Sequence, residues 1–375
     1  MVLRESGRAA GKAIARAPGA SGWLVLLAAV GCSSPAYVAE DDAELTRAAC
    51  VVSSNRVCRA LEERDIAHLF AGNGFVMPGF ATQGSLPGES WVAAPAYDSG
   101  RLLGARRQRR TGPFDAATPL PVFPVGDVTG TVQDQTPVVY FVTAGAAGPE
   151  LRRSTLAARE LSAPEPVTLR GAPDGALAWP QVVALPSGTV VLAFVESGKR
   201  AFLGTSADGR AFDVRPAPFS HPSLAGVLEH VGTTKAGQLV LTHQVADDQF
   251  RFVSFVQRST DGGKTFTEPT VIAPGNDDVH DAFVVPRADA GADLYYLHAS
   301  RGGVFTVFRR SMSEVGALGP EQQVASDSLG HFEKPQARRF ADGRLVLVAA
   351  RRVDPAKFDN YDIVYAELAG DAPRR

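Results

Sequence analysis

From about residue 85 the apolar positions of the chain fall in short runs, each entered through a glycine turn. The clearest are Gly188-Thr-Val-Val-Leu192, Gly237-Gln-Leu-Val-Leu241, Gly291-Ala-Asp-Leu-Tyr-Tyr296 and Gly343-Arg-Leu-Val-Leu347. Short runs of this kind, bounded by turn residues, predict strands, and no long helical pattern follows Ala71. With Val190, Leu239, Leu294 and Leu345 as equivalents, successive units lie 49, 55 and 51 residues apart, and Val138-Val-Tyr-Phe141 opens 52 residues ahead of Val190. Gly100-Arg-Leu-Leu103 adds one more unit at a shorter step, 36 residues from Leu102 to Val138. A period near 50 with about four short strands per unit predicts an all-β, six-bladed β-propeller over residues 85–370. Ahead of it, Arg59–Phe70 reads as a short helix with Leu61, Ile66, Leu69 and Phe70 on one side, stopped by Gly72-Asn-Gly74.

This phase also places the histidines. His230, His280 and His331 open three successive units, 50 and 51 residues apart, while His243 and His298 fall late in two second strands. Innermost strands begin and second strands end on the same face of a propeller, so five of the seven histidines are expected near one end of the axis. Glu229, Asp281, Glu333 and Lys334 lie beside them. One reading is a metal or anionic-ligand site, with imidazoles as ligands or donors. The other is a half-buried, wet channel mouth that suits histidine. No HxH or HExxH spacing is present, so no metal and no cofactor is expected. A polar pocket built from His230, His243, His280, Asp281, His298, His331 and Lys334 is the working expectation.

Between Phe252-Val-Ser-Phe-Val256 and Thr270-Val-Ile272 stands the turn Ser259-Thr-Asp-Gly-Gly-Lys-Thr-Phe266. Asp261 can fold its carboxylate back onto the N–H groups of the turn. Gly262 and Gly263 supply positive φ, and Phe266 is placed to bury its ring. The spacing of Ser259, Asp261, Gly263, Thr265 and Phe266 resembles the Asp box of the sialidase-like β-propellers. Ser206-Ala-Asp-Gly-Arg-Ala-Phe212 is the same pattern with one residue missing, and its Asp208 precedes Asp261 by 53 residues. The resemblance implies a turn between a blade's third and fourth strands, on the outer edge, and therefore a structural role for Asp261.

The same resemblance sets a catalytic test. Exo-sialidases clamp the sugar carboxylate with three arginines, attack with a tyrosine helped by a glutamate, and use an aspartate as acid/base. Ala93-Ala-Pro-Ala96 and Gly100-Arg-Leu-Leu-Gly104 match the frame of the family's first blade, with Ala93 where the first arginine belongs. The second arginine falls near Gln244 and the third near Arg301. The glutamate falls between Leu228 and Glu229, the tyrosine near Lys334, and the acid on Asp115. With the clamp and the nucleophile poorly matched, the expectation is a non-catalytic module that binds a glycan or a surface protein. The alternative is an exo-acting glycoside hydrolase, sialidase-like or divergent, with Asp115, Glu229, Asp281 and Glu333 as carboxylates and Arg301 as a surviving clamp residue. A metal-binding propeller is a third.

The N-terminus changes where such a domain would work. Arg4, Arg8, Lys12 and Arg16 precede the apolar run Trp23–Val30, which is too short to span a bilayer, as in a signal peptide. Ala29-Val-Gly-Cys32 resembles a bacterial lipobox, which implies that residues 1–31 are removed and Cys32 is lipidated. Ser33 resembles the pattern sorted to an outer membrane. An ordinary signal peptide with an incidental cysteine is the alternative. Residues 32–84 then form a tether and a short segment tied by Cys50 and Cys58, which pair as a disulfide in an exported protein or remain as two thiols. A hydrophobic content of 45% suffices for a large core, and a net charge of −2 gives no argument for nucleic acid. The expected partners are a glycan or a surface protein, and a membrane through the lipid anchor of an exported bacterial protein.

Overall fold

The computed structural model describes residues 60–70, 75–84, 88–110, 112–116, 118–124, 127–146, 148–157, 160–173, 177–196, 200–217, 227–246, 251–275, 278–300, 303–353 and 361–368. The expected signal peptide, Cys32, Cys50, Cys58 and Arg301 lie outside these residues.

The strands form six antiparallel sheets arranged as the blades of a β-propeller. From the axis outward, blade 1 holds Phe80–Gln83, Ser90–Ala96, Arg101–Arg107 and Thr118–Pro119. Blade 2 holds Val128–Gln133, Thr136–Gly145, Gly148–Ala157 and Glu165–Pro166. Blade 3 holds Leu177–Ala184, Val190–Glu196, Arg200–Ser206 and Ala211–Pro216, with Thr168–Arg170 added in parallel outside. Blade 4 is Val227–Thr233, Leu239–Ala246, Phe252–Ser259 and Thr270–Val271; blade 5 is His280–Pro286, Ala292–Ala299, Phe305–Met312 and Leu318–Gln323. Blade 6 is Phe332–Arg339, Leu345–Arg352, Tyr361–Leu368 and, from the other end of the chain, Ile66–Leu69. The second strands are buried on both faces because each blade packs on two neighbours; Leu239–Ala246 and Ala292–Ala299 are buried along almost their whole length.

Three expectations are corrected. The segment Arg59–Phe70 is not a helix: Glu63–Asp65 is a single 3-10 turn, and Ile66–Leu69 is a strand antiparallel to Tyr361–Leu368, with Ile66 opposite Ala366 and Leu69 opposite Ile363. Without it the last blade would present an open row of backbone donors and acceptors. Leu69 and Phe70 bury between blades 6 and 1, and Leu61 between blades 5 and 6. The ring therefore begins ahead of residue 85. Lastly, the Gly100 turn enters the third strand of blade 1 rather than its second, which accounts for the short step of 36. Ala93-Ala-Pro-Ala96 consequently lies on the second strand, where Ala93 pairs with Phe80 of the innermost strand and Ala96 makes an isolated bridge to Val76 ahead of it.

Third strands run parallel to innermost ones, so the turns that follow them lie at the end of the axis opposite the openings of the innermost strands. In the turn after Ser259, the Ser259 hydroxyl donates to Asp261 Oδ1 (2.8 Å). The Thr265 N–H and hydroxyl donate to the Asp261 carboxylate at 3.0 and 2.7 Å. Gly262 and Gly263 adopt φ of 73° and 84°. These donors hold the Asp261 carboxyl well below its usual range. The Asp208 turn repeats the pattern through Ser206 and the Arg210 N–H. Each turn is latched by an arginine of the preceding blade: Arg153 donates to Asp208 O (2.7 Å), Arg215 to Gly263 O (2.6 Å) and Arg258 to Val315 O (2.6 Å). Arg153 is buried, so Arg153→Met is expected to cost about 1–3 kcal/mol by leaving that carbonyl without its charged donor. A urea midpoint unchanged from wild type would show that the latch carries no stability.

Candidate functional site

Four innermost strands break register at their opening ends, between Ala178 and Gln181, Leu228 and His230, His280 and Phe283, and Glu333 and Gln336. The residues inside these breaks include Trp179, Glu229, Asp281 and Lys334, spaced 50, 52 and 53 apart. Trp179, Asp281 and Lys334 take positive φ, 48°, 56° and 46°. A bulge of this kind re-aims a side chain, and a non-glycine residue held at positive φ is strain that persists where its surroundings enforce it. Asp127, 52 residues ahead of Trp179, stands at the opening of blade 2's innermost strand. The structure thus collects one residue from each of five blades at the mouth of the axis.

Direct contacts join Asp127, Asp281 and Lys334. Lys334 Nζ donates to Asp127 Oδ1 (3.0 Å), which also accepts from the Tyr97 hydroxyl (2.8 Å). The Lys334 N–H donates to Asp281 Oδ2 (3.1 Å), and His280 Nδ1 lies 3.4 Å from the same oxygen. The Asp281 N–H donates to Gln244 Oε1 (3.4 Å). Among the described residues, Glu229 Oε2 is enclosed and has no partner in ordinary hydrogen-bond geometry.

The proton on Glu229 depends on which way Ser254 donates. Ser254 Oγ lies 2.7 Å from Glu229 Oε1 and 2.9 Å from Val279 O. A hydroxyl has one proton and a backbone carbonyl can only accept. When Ser254 donates to Val279, the contact with Glu229 must be closed by the carboxyl's own proton. Burial pushes the Glu229 carboxyl up to about 8, helped by the charge of Asp281 and opposed by Ser254 and the Ala282 N–H. Burial works against the charge of Asp281 too, but His280 and Lys334 outweigh it and hold its carboxyl below the usual range. In the same way Asp281 outweighs the burial of His280 and lifts it to about 9, and Asp127 with Asp281 raises Lys334.

The five expected mouth histidines do not assemble. Only His280 joins the ring. His230 lies deeper, stacked on Phe283 (centroids 3.6 Å apart) and accepting from the Val284 N–H (3.2 Å). Burial and the nearby charge of Arg338 hold it well below its usual value, as a neutral wall residue. Arg338 spans the axis beside it, donating to Gly130 O (3.1 Å) with its guanidinium over the rings of Phe80 and Phe283. His243 stacks on Phe255, and His298 stacks on Phe308 and faces Glu321 (3.2 Å), both inside blade packing. Alternate residues of a strand face opposite sides of its sheet, so a shared period does not guarantee a shared direction. His331 accepts from the Phe305 N–H (3.4 Å) at the rim. Glu333 is committed to Arg352 (3.0 Å) and the Tyr361 hydroxyl (2.6 Å).

Asp115 is not in the site. Its N–H is bonded to Arg106 O (2.7 Å) at the far end of a third strand, on the opposite face of the ring. Asp127, Tyr97, Trp179 and Ser254 went unmarked in the sequence, although the period read backward from Trp179 points to Asp127. Among the described residues, no group of three His, Cys, Asp or Glu side chains is placed to hold a metal ion.

No protein-family model matches the chain, and no curated protein matches it in sequence. Solved structures do. A protein of unknown function from Dyadobacter fermentans is 14% identical with a TM-score of 0.58, over 82% of this chain and 99% of that one. A leech intramolecular trans-sialidase is 9% identical with a TM-score of 0.55, over 88% and 72%. A Penicillium chrysogenum α-L-arabinanase is 11% identical with a TM-score of 0.56, over 77% and 93%. At these identities the likeness is one of fold.

Proposed function

We propose that this is a carbohydrate-recognising propeller of the sialidase type, with its site at the axial mouth. The observation that carries the reading is the repeated register break that brings Trp179, Glu229, Asp281 and Lys334 to one opening beside Asp127. Trp179, packed on the core between blades 3 and 4 and half-buried, leaves part of its ring to the C–H side of a sugar, and the carboxyls and ammonium of the mouth offer donors and acceptors to hydroxyls. The glycan-directed names among its structural neighbours and the two Ser–Asp turns support the sialidase type. The test is a glycan array probed with the full chain in detergent. Trp179→Ala is expected to lower affinity for any glycan bound by wild type by about tenfold or more. Unchanged binding would place the site elsewhere.

A second reading has its own observation. Burial favours the protonated form of Glu229 while His280 and Lys334 favour the ionised form of Asp281, the division of labour between an acid and a base in glycoside hydrolysis. A fluorogenic glycoside panel separates the two readings: turnover abolished in Glu229→Gln means hydrolysis, and binding without turnover means recognition alone.

We also propose that Cys32 carries the lipid anchor, that Cys50 and Cys58 pair in the exported protein, and that the propeller is held at a bacterial outer membrane or cell surface. Mass spectrometry of the membrane fraction should find a lipid mass on a peptide beginning at Cys32; a soluble mature protein would overturn the anchor.

A further inference from the structure

We infer that the mouth selects neutral saccharides and rejects carboxylated ones. The inference rests on the saccharide reading of the site and names its substrate class. A sugar carboxylate needs uncommitted positive charge at the point where it lands. Both cations of the ring are already spent. Lys334 Nζ faces Asp127 at 3.0 Å and the Lys334 N–H faces Asp281 at 3.1 Å. His280 faces the same Asp281 oxygen at 3.4 Å. With Lys334 and His280 charged, Asp127 and Asp281 ionised, and Glu229 carrying its proton, these five groups sum to zero. Among the described residues of the ring, an incoming carboxylate would meet two fixed carboxylates and two cations already paired with them; Arg338, also on the axis, is held over Phe80 and Phe283 with a donor on Gly130 O.

A hydroxyl meets the opposite situation. Lys334 has three N–H donors and the ion pair with Asp127 uses one. Asp127 and Asp281 have lone pairs left to accept. Groups that both donate and accept, at zero net charge, match a polyol better than an anion, and Trp179 adds the apolar face a pyranose presents.

The experiment compares matched pairs on the full chain in detergent: galactose- against galacturonate-terminated oligosaccharides, glucose- against glucuronate-terminated ones, and a sialate-terminated set. The neutral member of each pair is expected to bind at least tenfold more tightly. Equal or tighter binding of the acidic members overturns the inference and leaves the saccharide reading standing. No binding to any member overturns the saccharide reading itself. Asp127→Asn releases Lys334 and is expected to lower the neutral-to-acidic preference about tenfold. Asp281→Asn is expected to act in the same direction, since asparagine tolerates the positive φ of that position. Melting curves confirm that each variant is folded, and an unchanged preference in both folded variants also overturns the inference.

Discussion

Truncating Tyr365 to alanine is expected to lower the unfolding free energy by about 3–5 kcal/mol, the range for removing a large buried aromatic side chain. Tyr365 is 1% exposed and sits in the cluster between blades 6 and 1. Phe114 packs edge-on against its ring at 4.9 Å, and the Arg107 guanidinium lies 4.6 Å above it. Its hydroxyl contacts Ser90 Oγ and Arg107 Nη2, both at 3.0 Å. On its backbone side it pairs with Ala67, the strand that closes the ring. The cavity would therefore open at the one junction where the two ends of the chain meet. Tyr365→Phe keeps the ring and removes only the hydroxyl, and is expected to cost about 1–2 kcal/mol. Urea unfolding of the three proteins measures both, and a Tyr365→Ala loss under 1 kcal/mol would show that the closure does not depend on this packing.

Blade period and strand type were legible because they come from chemistry that repeats. The glycine turns before Val190, Leu239, Leu294 and Leu345 mark second strands in four blades, and all four are buried there. The turn after Ser259 was legible because serine, aspartate and two glycines at that spacing have few other uses. Closure of the ring was not. Ile66–Leu69 has helical spacing, and only the presence of the Tyr361–Leu368 edge, nearly 300 residues away, makes it a strand; a tertiary contact of that range leaves no local mark.

The site was half legible for a related reason. The period groups Glu229, His280, Asp281 and Lys334 at one end of the axis, since residue numbers modulo about 50 fix height along it. Direction is set by register, and a one-residue slip turns a side chain to the other face. His230 follows Glu229 immediately yet faces Phe283 and the axis wall. His243 and His298 have the right height but face into the blades. The register breaks that re-aim Trp179 and Lys334 depend on backbone conformation, for which neither tryptophan nor lysine is a sequence signal.

Raising the pH from 5 to 9 is expected to destabilise the propeller, and Glu229→Gln is expected to remove a substantial part of that loss. The folded protein holds the Glu229 proton up to about pH 8, while an ordinary glutamate releases it near 4.5. Between those values the unfolded chain binds fewer protons than the folded one, so stability falls with rising pH. His280 acts in the same direction: its folded value of about 9 lies above the ordinary 6.5, so its contribution is complete below 6.5 and lost through 9. Asp281, held low, contributes above its ordinary 3.8 and loses that only on strong acidification, outside this window. At about 1.4 kcal/mol per pH unit the Glu229 interval sets a ceiling near 5 kcal/mol, and coupling to Asp281 and His280 brings the expected loss to ~2–4 kcal/mol. A glutamine keeps the shape and hydrogen bonds of the protonated acid with no proton to lose, so its stability should follow the histidines that remain: His280, whose contribution is lost through 9, opposed up to about 6.5 by His230 and His331, which burial holds below their ordinary value. Urea unfolding at pH 5, 7 and 9 measures the difference. Parallel pH profiles for wild type and Glu229→Gln would mean that Glu229 is ionised in the folded protein. Ser254 would then donate to Glu229 rather than Val279, and the mouth would carry a net negative charge.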